Sequence, residues 1–534
     1  MANLRKRLTQ NWPSGLSVAL VSIPLSVSLA VASQAQPVVG IITAIWAGLI
    51  AAISGGSNYN IIGPTGALSG ILAMYAIAHG AETLPTVAIV SGLLILLAHR
   101  LHFEKYLIFV PASTVHGFTL GVAGIIILSQ LNSALGLNNL PLHAHLIANT
   151  RETLLHLTQF SGLTFTIFLS SLSFLLITTK LAPKIPGVIF LTPIGIGLGY
   201  LTTANYLPYT LPTLQTKFGT ITPSLGLKIH FSWDPQIISV SLVVAFIALL
   251  ETMISARIAD SLTKTKHHRR QEIIGLGLAN LASGIMGGIP ATAALARTAL
   301  NIKAGATNKT SAIISSIGIA LISLLFLSWF KFMPLAVIAA ILVYIALRMI
   351  DLHHFQRLYS LDRPSFYVAL FAAVITIYLD PTMGILCGIT LASFTVLDKL
   401  SQGHFELITG HKDHFDVPEN TLIYSFKGQL AYINTEAHLA RFENLQPYQT
   451  IILRLRTVFF IDVDGLEALD QIISLIQAKG ENVLITEACN SILPALQDSP
   501  HFVALQKQGL VFPSITAALN YLHSQTPKSI KELT

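Results

Sequence analysis

Long apolar runs separated by short polar loops fill the chain up to about residue 398. A helix that crosses a bilayer needs about 20 residues, most of them apolar. Several of the runs are shorter than this, which predicts that some helices are tilted, broken or partial. We count fourteen apolar segments, near residues 15–34, 37–54, 62–78, 84–99, 107–128, 162–178, 186–202, 236–256, 272–287, 289–301, 310–330, 333–350, 365–379 and 382–397.

The composition supports a membrane protein with many spans. Of the 534 residues, 52% are hydrophobic and 11% are charged, whereas soluble domains average about 25% charged residues. Charged residues become frequent again after about residue 400. We therefore predict a polytopic α-helical membrane domain over residues 1–400, a linker over residues 401–412, and a soluble domain over residues 413–534.

The basic residues predict the orientation of the segments. Loops on the cytoplasmic side of a membrane are enriched in lysine and arginine. If the basic N-terminus is cytoplasmic, the loops after even-numbered segments carry most of these residues, and the opposite loops carry only Arg151, Lys217, Lys228 and Lys331. This predicts that the N-terminus and the C-terminal domain lie in the cytoplasm. The net charge of +7 then reflects topology and lipid contact, and requires no nucleic-acid partner.

Two apolar segments are interrupted in a similar way. The third contains IIGPTGALSG (61–70) and the tenth contains GGIPATAALART (287–298), each with glycine, proline, and small or hydroxyl residues. They lie seven segments apart, which is typical of two inverted repeats with broken helices near the bilayer midplane. Because proline suits the first turn of a helix, we predict that Pro64 and Pro290 mark helix N-termini. The alternative is a pair of kinked helices that pack through small residues.

Two facing helix N-termini would form an anion site without a cofactor. The unpaired N–H groups there carry a partial positive charge, and Thr65, Gly66, Ala293 and Ala294 would let a ligand approach the backbone. Arg297, about two turns into the second short helix, would add a fixed charge. Because a charge within a membrane is costly, it marks a candidate functional site. The alternative is that Arg297 reaches the cytoplasmic edge.

Glu251, in the eighth segment, is the second charged candidate. A carboxylate within a membrane can bind Na⁺, carry a proton or pair with Arg297. Ser255 is four residues later on the same helix face and would supply a second oxygen ligand for a hard cation. The alternative is a structural ion pair or a carboxylate near the interface.

Other polar features carry no predicted role. His116 is interpreted as a hydrogen-bonded buried histidine, and KTKHHRR (264–270) as a loop beside anionic lipid. The two cysteines, Cys387 and Cys489, are far apart and give no metal spacing. We find no catalytic set, so we predict that the protein is not an enzyme and has no cofactor other than Na⁺ or H⁺ as a coupling ion.

The soluble region alternates between strand and helix patterns. Strands are predicted at 421–430, 450–455 and 482–488, and helices at 465–480, 491–499 and 515–525. This indicates a small α/β domain with a sheet covered by helices. Because it lacks a phosphate-binding loop, a binding or regulatory module is the better interpretation.

Three long motifs resemble one known family. These are SGLSVALVSIPLSVSLAVASQAQPVVG with the following GPTGALSG, the block ETMISARIAD with QEIIGLGLANLASGIMGGIPATAALART, and VFFIDVDGLEAL (458–469). The first two resemble the SulP (sulfate permease) family of anion transporters, and the third resembles the central signature of a STAS domain, which commonly follows that transporter. The resemblance covers essentially the whole chain, in the expected order.

The resemblance implies a fold and a set of site residues. It implies fourteen segments in a seven-plus-seven inverted repeat, in which a core domain moves against a gate domain, usually in a homodimer. The anion would lie between the third and tenth segments, and a cytoplasmic regulator could bind the STAS domain. The implied anion site comprises Leu25, Ser26, Thr65, Gly66, Ala293, Ala294, Leu295 and Arg297. The implied coupling-ion site comprises Glu251, Ser255 and Thr65.

Three positions depart from the family pattern. Leu25 stands where many relatives have glutamine, and Leu295 replaces a frequent threonine or serine, so hydrogen-bond donors are lost at both. Asp464 occupies a STAS position that often holds a phosphorylatable hydroxyl. We interpret it as a solvated residue at a helix start.

We therefore expect a secondary transporter in a bacterial inner membrane, for a small inorganic anion or dicarboxylate such as bicarbonate, sulfate or fumarate. Glu251 favours Na⁺ or H⁺ symport. The first alternative is an anion exchanger, a channel-like protein or an anion sensor with little coupled transport. The second is a nucleobase symporter of the same architecture, which would be expected to carry an acidic residue in the tenth segment, where this chain has Arg297.

Overall fold

The computed structural model describes residues 2–525, apart from 103–104, 106–109, 138–139, 142, 144–145, 183–185, 227–233 and 413–414. Lys228 therefore lies outside the described residues. The chain forms two compact units, Met1–Ala392 and Ser393–Thr534.

The first unit is built almost entirely of helices. They are α1 (Ala2–Ala32), α2 (Pro37–Ser54), α3 (Gly66–His79), α4 (Leu84–Arg100), α5 (Ala112–Ser129), α6 (Leu131–Leu135), α7 (Leu146–Leu155), α8 (Gly162–Leu181), α9 (Gly187–Thr203), α10 (Leu214–Phe218), α11 (Gln236–Thr263), α12 (Arg269–Ile285), α13 (Leu295–Lys303), α14 (Thr310–Phe326), α15 (Leu335–Met349), α16 (Leu352–Leu361), α17 (Arg363–Tyr378) and α18 (Pro381–Ser401). Short 3₁₀ turns lie at Ala81–Thr83, Leu157–Gln159 and Leu327–Phe332.

Each of the fourteen predicted segments overlaps one of these helices, namely α1–α5, α8, α9, α11–α15, α17 and α18. In the part of the chain that the structure describes, nine helical stretches are long and apolar enough to cross a membrane. The third, seventh and thirteenth segments form shorter apolar helices, α3, α9 and α17. The tenth forms α13, which has nine residues.

The packing of the helices repeats between the two halves of the chain. Helix α1 packs on α14, and α4 packs on α11. Likewise, α2 packs on α14 as α12 packs on α4, and α5 packs on α17 as α15 packs on α8. When the helices are numbered by predicted segment, adding or subtracting seven turns the two segment numbers of one pair into those of its counterpart. This matching pattern of contacts confirms the predicted seven-plus-seven repeat.

The two prolines do not lie in the first turn of their helices, so that prediction was wrong. Helix α3 begins at Gly66, two residues after Pro64, and α13 begins at Leu295, five residues after Pro290. Between each proline and its helix the chain is extended. Proline disfavours helical backbone in the residue before it, which agrees with strand β1 (62–63) directly before Pro64. Strand β2 (292–293) instead follows Pro290, and the two strands pair with each other.

The second unit is an α/β domain. Its strands are β3 (His404–Ile408), β4 (His411–Lys412), β5 (Phe415–Asp416), β6 (Thr421–Leu430), β7 (Thr450–Ile461), β8 (Asn482–Thr486) and β9 (Val511–Phe512). Its helices are α19 (Thr435–Glu443), α20 (Val463–Ala478), α21 (Leu493–Leu496), α22 (Pro500–Lys507) and α23 (Ile515–Gln525). The main sheet has the order β3-β6-β7-β8-β9, with β3 antiparallel and the other strands parallel.

The boundaries of this unit differ from the predicted ones in two places. Residues 404–408, within the predicted linker, form the edge strand β3. The helix predicted over 491–499 is replaced by α21 and α22, because Ser499 begins a new helix by accepting a hydrogen bond from the backbone N–H of Phe502 at 2.9 Å. Asp464 is exposed in the first turn of α20, and Asp462 caps that helix.

A buried histidine lies in the core of the second unit. His438 on α19 is 1% exposed, and its Nδ1 is 2.8 Å from the hydroxyl of Tyr424 on β6. Burial lowers the pKa of His438 to about 4, and the nearby Arg441 acts in the same direction. The imidazole is therefore neutral in the folded domain at pH 7.

Candidate anion and coupling-ion site

A two-stranded antiparallel ribbon brings the two broken segments together. In its register Ile62 pairs with Ala293, and Gly63 pairs with Thr292. The backbone N–H of Ala294 also donates to the carbonyl of Ile61 at 3.1 Å. Because β1 leads into α3 and β2 leads into α13, this antiparallel pairing joins both short helices to one ribbon, with an N-terminus at each of its two ends.

Both helix N-termini have free capacity for hydrogen bonds. The residues that precede them, Thr65 and Ala294, have extended backbone, and neither side chain accepts a capping bond from its own helix. The first-turn N–H groups of a helix have no partner within the helix and carry a partial positive charge. A helix end of this kind can bind a small anion.

Glu251 lies beside the start of α3. The hydroxyl of Thr65 donates to its Oε2 at 3.4 Å. Glu251 also borders a small cavity between α11 and α5, whose wall includes Thr114, Phe118 and Thr119. A carboxylate within a membrane protein that touches both a helix N-terminus and a cavity is well placed to take up a cation or a proton.

Arg297 lies in the first turn of α13 rather than two turns into the helix, because that helix begins later than predicted. It is 2% exposed, and its guanidinium donates to the carbonyl of Pro64. A methyl group on Gly63 would stand 2.7 Å from Nη1, so only glycine lets the guanidinium approach β1 this closely. Arg297 is thus a buried link between the two broken segments, and the structure does not support the alternative that it reaches the membrane edge.

The remaining predicted residues occupy different environments. Ala293 is buried in β2, and Gly66 is the first residue of α3, where an added methyl group would stand 2.8 Å from the sulfur of Met349. Ser26 is buried, Leu25 is partly buried against the core, and Leu295 is 44% exposed.

Ser255 belongs to a second polar cluster. Its hydroxyl lies 2.9 Å from Oδ1 of Asn60 and 3.2 Å from Oγ1 of Thr298. The structure therefore brings Thr65 to Glu251 and directs Ser255 toward the loop before β1. Because the Ser255 hydroxyl is the donor in these contacts, its oxygen lone pairs stay available to a cation.

Sequence reasoning missed the residue at the centre of this cluster. Glu272 on α12 is 2% exposed, and its carboxylate accepts three hydrogen bonds of 2.7 Å, from the backbone N–H groups of Gly56 and Ser57 and from the side chain of Asn60. These bonds hold the loop that leads into β1. The sequence does contain a sign of this role, because Glu272 is a carboxylate directly before the apolar residues of QEIIGLG (271–277).

Two histidine features lie outside this site. His116, which received no predicted role, stacks on His354 with ring centroids 3.7 Å apart. In the 264–270 loop, Nδ1 of His267 is 2.7 Å from a carboxylate oxygen of Asp260, so the two side chains are hydrogen-bonded. No cluster of three or more metal-ligating side chains occurs among the described residues.

The sequence profile of the sulfate permease family matches residues 8–372, and that of the STAS domain matches residues 414–505. The chain belongs to the sulfate permease family. This confirms the resemblance drawn from the motifs. Members of the family are transporters, which agrees with the prediction that the protein is not an enzyme.

Two relatives represent the family in bacteria. The putative sulfate transporter YvdB of Bacillus subtilis is 28% identical over 498 residues, which cover 90% of this chain and 92% of the relative. The bicarbonate transporter BicA of a Picosynechococcus strain is 25% identical over 429 residues, which cover 75% of this chain and 72% of the relative.

Solved structures share the fold of this sulfate permease member. Murine solute carrier 26 family member A9, in its inward-facing state, superposes with a TM-score of 0.83 at 15% identity, covering 97% of this chain and 92% of the other. The transmembrane domain of a cyanobacterial BicA superposes with a TM-score of 0.62 at 21% identity, covering 72% and 97%. These likenesses confirm the fold class of a many-helix membrane unit followed by a STAS domain.

Proposed function

We propose that this protein is a secondary active transporter of a small anion, with sulfate, bicarbonate and dicarboxylates as the candidate substrates. Support comes from family membership and from relatives that are named as a putative sulfate transporter and a bicarbonate transporter. Transport would proceed by alternating access, as a core group of helices (α1–α4 and α11–α14) moves against a gate group (α5, α8, α9, α15, α17 and α18).

One observation carries the proposed substrate site, namely the β1–β2 pairing that joins the N-termini of α3 and α13. The anion would accept hydrogen bonds from the first-turn N–H groups that follow Thr65 and Ala294. The bound anion and Glu251 would together neutralise the positive charge of the buried Arg297.

The proposed coupling ion is Na⁺ or H⁺, bound at Glu251. Support comes from the contact between its carboxylate and the hydroxyl of Thr65, a residue that also precedes the α3 N-terminus. A cation at Glu251 would reduce the negative charge next to the anion site. Anion binding would then be more favourable with the cation present, which is the thermodynamic basis of symport.

The test is uptake of radiolabelled sulfate, bicarbonate and fumarate into proteoliposomes, with a Na⁺ gradient, a pH gradient or neither. We expect one of these anions to be concentrated when one cation gradient is imposed. Glu251→Gln should abolish the response to that gradient. The matched control is Glu82→Gln, at an exposed carboxylate before α4, and it should respond like the original protein.

Each other outcome favours a different function. If anion flux depends on neither gradient and is unaffected by Glu251→Gln, the protein is an exchanger or a channel-like protein rather than a symporter. Binding without any flux would favour an anion sensor. Competition by uracil or xanthine would favour a nucleobase symporter. The homodimer and a cytoplasmic regulator of the STAS domain stay predictions.

A further inference from the structure

The small cavity beside Glu251 joins this carboxylate to two hydroxyl-bearing residues of α5. Side chains from α5, α11 and α18 form most of its wall. Among the described residues that line it, Glu251, Thr114 and Thr119 are the polar ones. Its free space admits about one water molecule.

The hydroxyl of Thr114 has unused hydrogen-bonding capacity. Thr114 lies in the first turn of α5 and is 1% exposed. In the part of the chain that the structure describes, its Oγ1 has no hydrogen-bond partner. Its methyl group lies against α18, where a methyl group added to Gly388 would stand 2.7 Å from Cγ2. Buried hydroxyl groups are seldom left unpaired, because burial without a partner costs free energy. A water molecule in the cavity would supply the partner that Thr114 lacks.

The other two polar groups on the wall differ from Thr114. The hydroxyl of Thr119 already donates to the backbone carbonyl of Val115 at 2.8 Å. The carboxylate of Glu251 accepts from Thr65 on Oε2 at 3.4 Å, and a carboxylate has about four acceptor sites. A water in the cavity would therefore be held between the hydroxyl of Thr114 and the carboxyl group of Glu251.

The chemistry of the wall suits a proton better than a metal cation. A hard cation needs several oxygen ligands around it, whereas most side chains on this wall are apolar, among them Phe118, Leu250 and Ile385. A proton needs only a water with a hydrogen-bond partner on each side. The loop before α5 is predicted to be cytoplasmic, so such a water would lie between Glu251 and the cytoplasmic end of α5.

We propose that Thr114 positions a water molecule that carries the coupling proton between Glu251 and the cytoplasmic side. This role rests on the coupling function proposed for Glu251, and it selects H⁺ over Na⁺. On release, the O–H bond of the Glu251 carboxyl breaks and the water takes up the proton, while the Thr114 oxygen accepts a hydrogen bond from that water. The added proton then passes to solvent at the start of α5. A neutral water and a charged carboxylate are left behind.

The test compares two modes of anion uptake by full-length Thr114→Val in proteoliposomes. Uptake driven by a pH gradient requires Glu251 to lose its proton in every cycle, whereas anion counterflow at equal pH on both sides does not. We expect the valine variant to lose about tenfold in the rate of gradient-driven uptake, the effect of one lost hydrogen bond. Its counterflow should keep the rate of the original protein. If Thr114→Val does not fold, Thr114→Ala gives the same comparison.

Thr119→Val is the matched control, because it removes a hydroxyl of the same cavity that already has a partner. It should keep both rates, and Thr114→Ser should restore gradient-driven uptake because serine retains the hydroxyl. Equal losses in both modes for Thr114→Val, or no loss in either, would contradict the assignment.

The same measurements separate this role from the proposed coupling function. Uptake that follows a Na⁺ gradient but not a pH gradient, and that loses this response in Glu251→Gln, would overturn the role of Thr114 and leave coupling at Glu251 intact. A gradient response that is absent, or that survives Glu251→Gln, would refute coupling at Glu251 and the role of Thr114 with it.

Discussion

The buried carboxylate of Glu272 provides the sharpest test of how the broken segments are positioned. One of its oxygens accepts from two backbone N–H groups, of Gly56 and Ser57, and the other accepts from Nδ2 of Asn60, each at 2.7 Å. Glu272→Ala would leave three buried donors without an acceptor. At about 1–3 kcal/mol for each unsatisfied donor, we expect a loss of about 5 kcal/mol in unfolding free energy.

Glu272→Gln should be much milder, because the polar groups can rearrange. The glutamine oxygen can accept from the two backbone N–H groups while its NH₂ faces Asn60. Asn60 can then turn its amide so that its oxygen accepts from Gln NH₂ and its nitrogen donates to the hydroxyl of Ser255. Three bonds are retained, but they lose their charged acceptor. At about 1 kcal/mol for each of the bonds weakened in this way, the loss is about 2–3 kcal/mol.

A further substitution tests the proposed rearrangement. Asn60→Asp alone would place two carboxylates against each other, and should be strongly destabilising. Combined with Glu272→Gln, the new carboxylate would accept from the glutamine NH₂ and from Ser255. We therefore expect the double variant to be more stable than Asn60→Asp alone, with a favourable coupling energy in the double-mutant cycle.

The assay is reversible unfolding by SDS in mixed micelles, with sulfate or bicarbonate uptake as a second readout. Alanine should lower the unfolding midpoint more than glutamine does. Equal effects of alanine and glutamine, or a loss under 1 kcal/mol for alanine, would refute the reasoning that these three bonds fix the loop before β1. Uptake should fall in the same order, because the loop positions both β1 and the N-terminus of α3.

Two further predictions concern other parts of the chain. His438 is neutral in the folded domain, with its pKa lowered from 6.5 to about 4, so the unfolded state binds a proton first as pH falls. Stability of residues 393–534, measured by urea unfolding, should be fully present above pH 6.5 and should fall by about 2 kcal/mol between pH 7 and 5. His438→Leu should lack this component, and an unchanged slope would contradict it. Gly63→Ala would place a methyl group 2.7 Å from the buried guanidinium and should reduce both thermal stability and uptake. The control Gly197→Ala, where nothing lies within 4 Å, should leave uptake unchanged.

The sequence by itself determined the class of fold and the location of the broken segments. Long apolar runs predict helices reliably, because only helices and closed barrels satisfy the backbone hydrogen bonds inside a bilayer. Each of the fourteen predicted segments overlaps a helix. Glycine and proline in two otherwise apolar segments marked where regular helix ends. The family motifs supplied the order of the domains and the candidate residues.

Only the tertiary structure decided how the polar groups are partnered. The pairing of Ile62 with Ala293 joins segments more than 200 residues apart, and no local pattern encodes a two-residue strand. Because residues 292–293 pair with β1, α13 begins later than predicted, at Leu295, and Arg297 therefore lies in its first turn. Ser255 was predicted beside Glu251 because they share a helix face. In the structure Asn60 and Thr298, from distant segments, supply its hydrogen-bond partners. Hydrogen bonds between helices depend on which helices pack together, and that is a property of the whole fold.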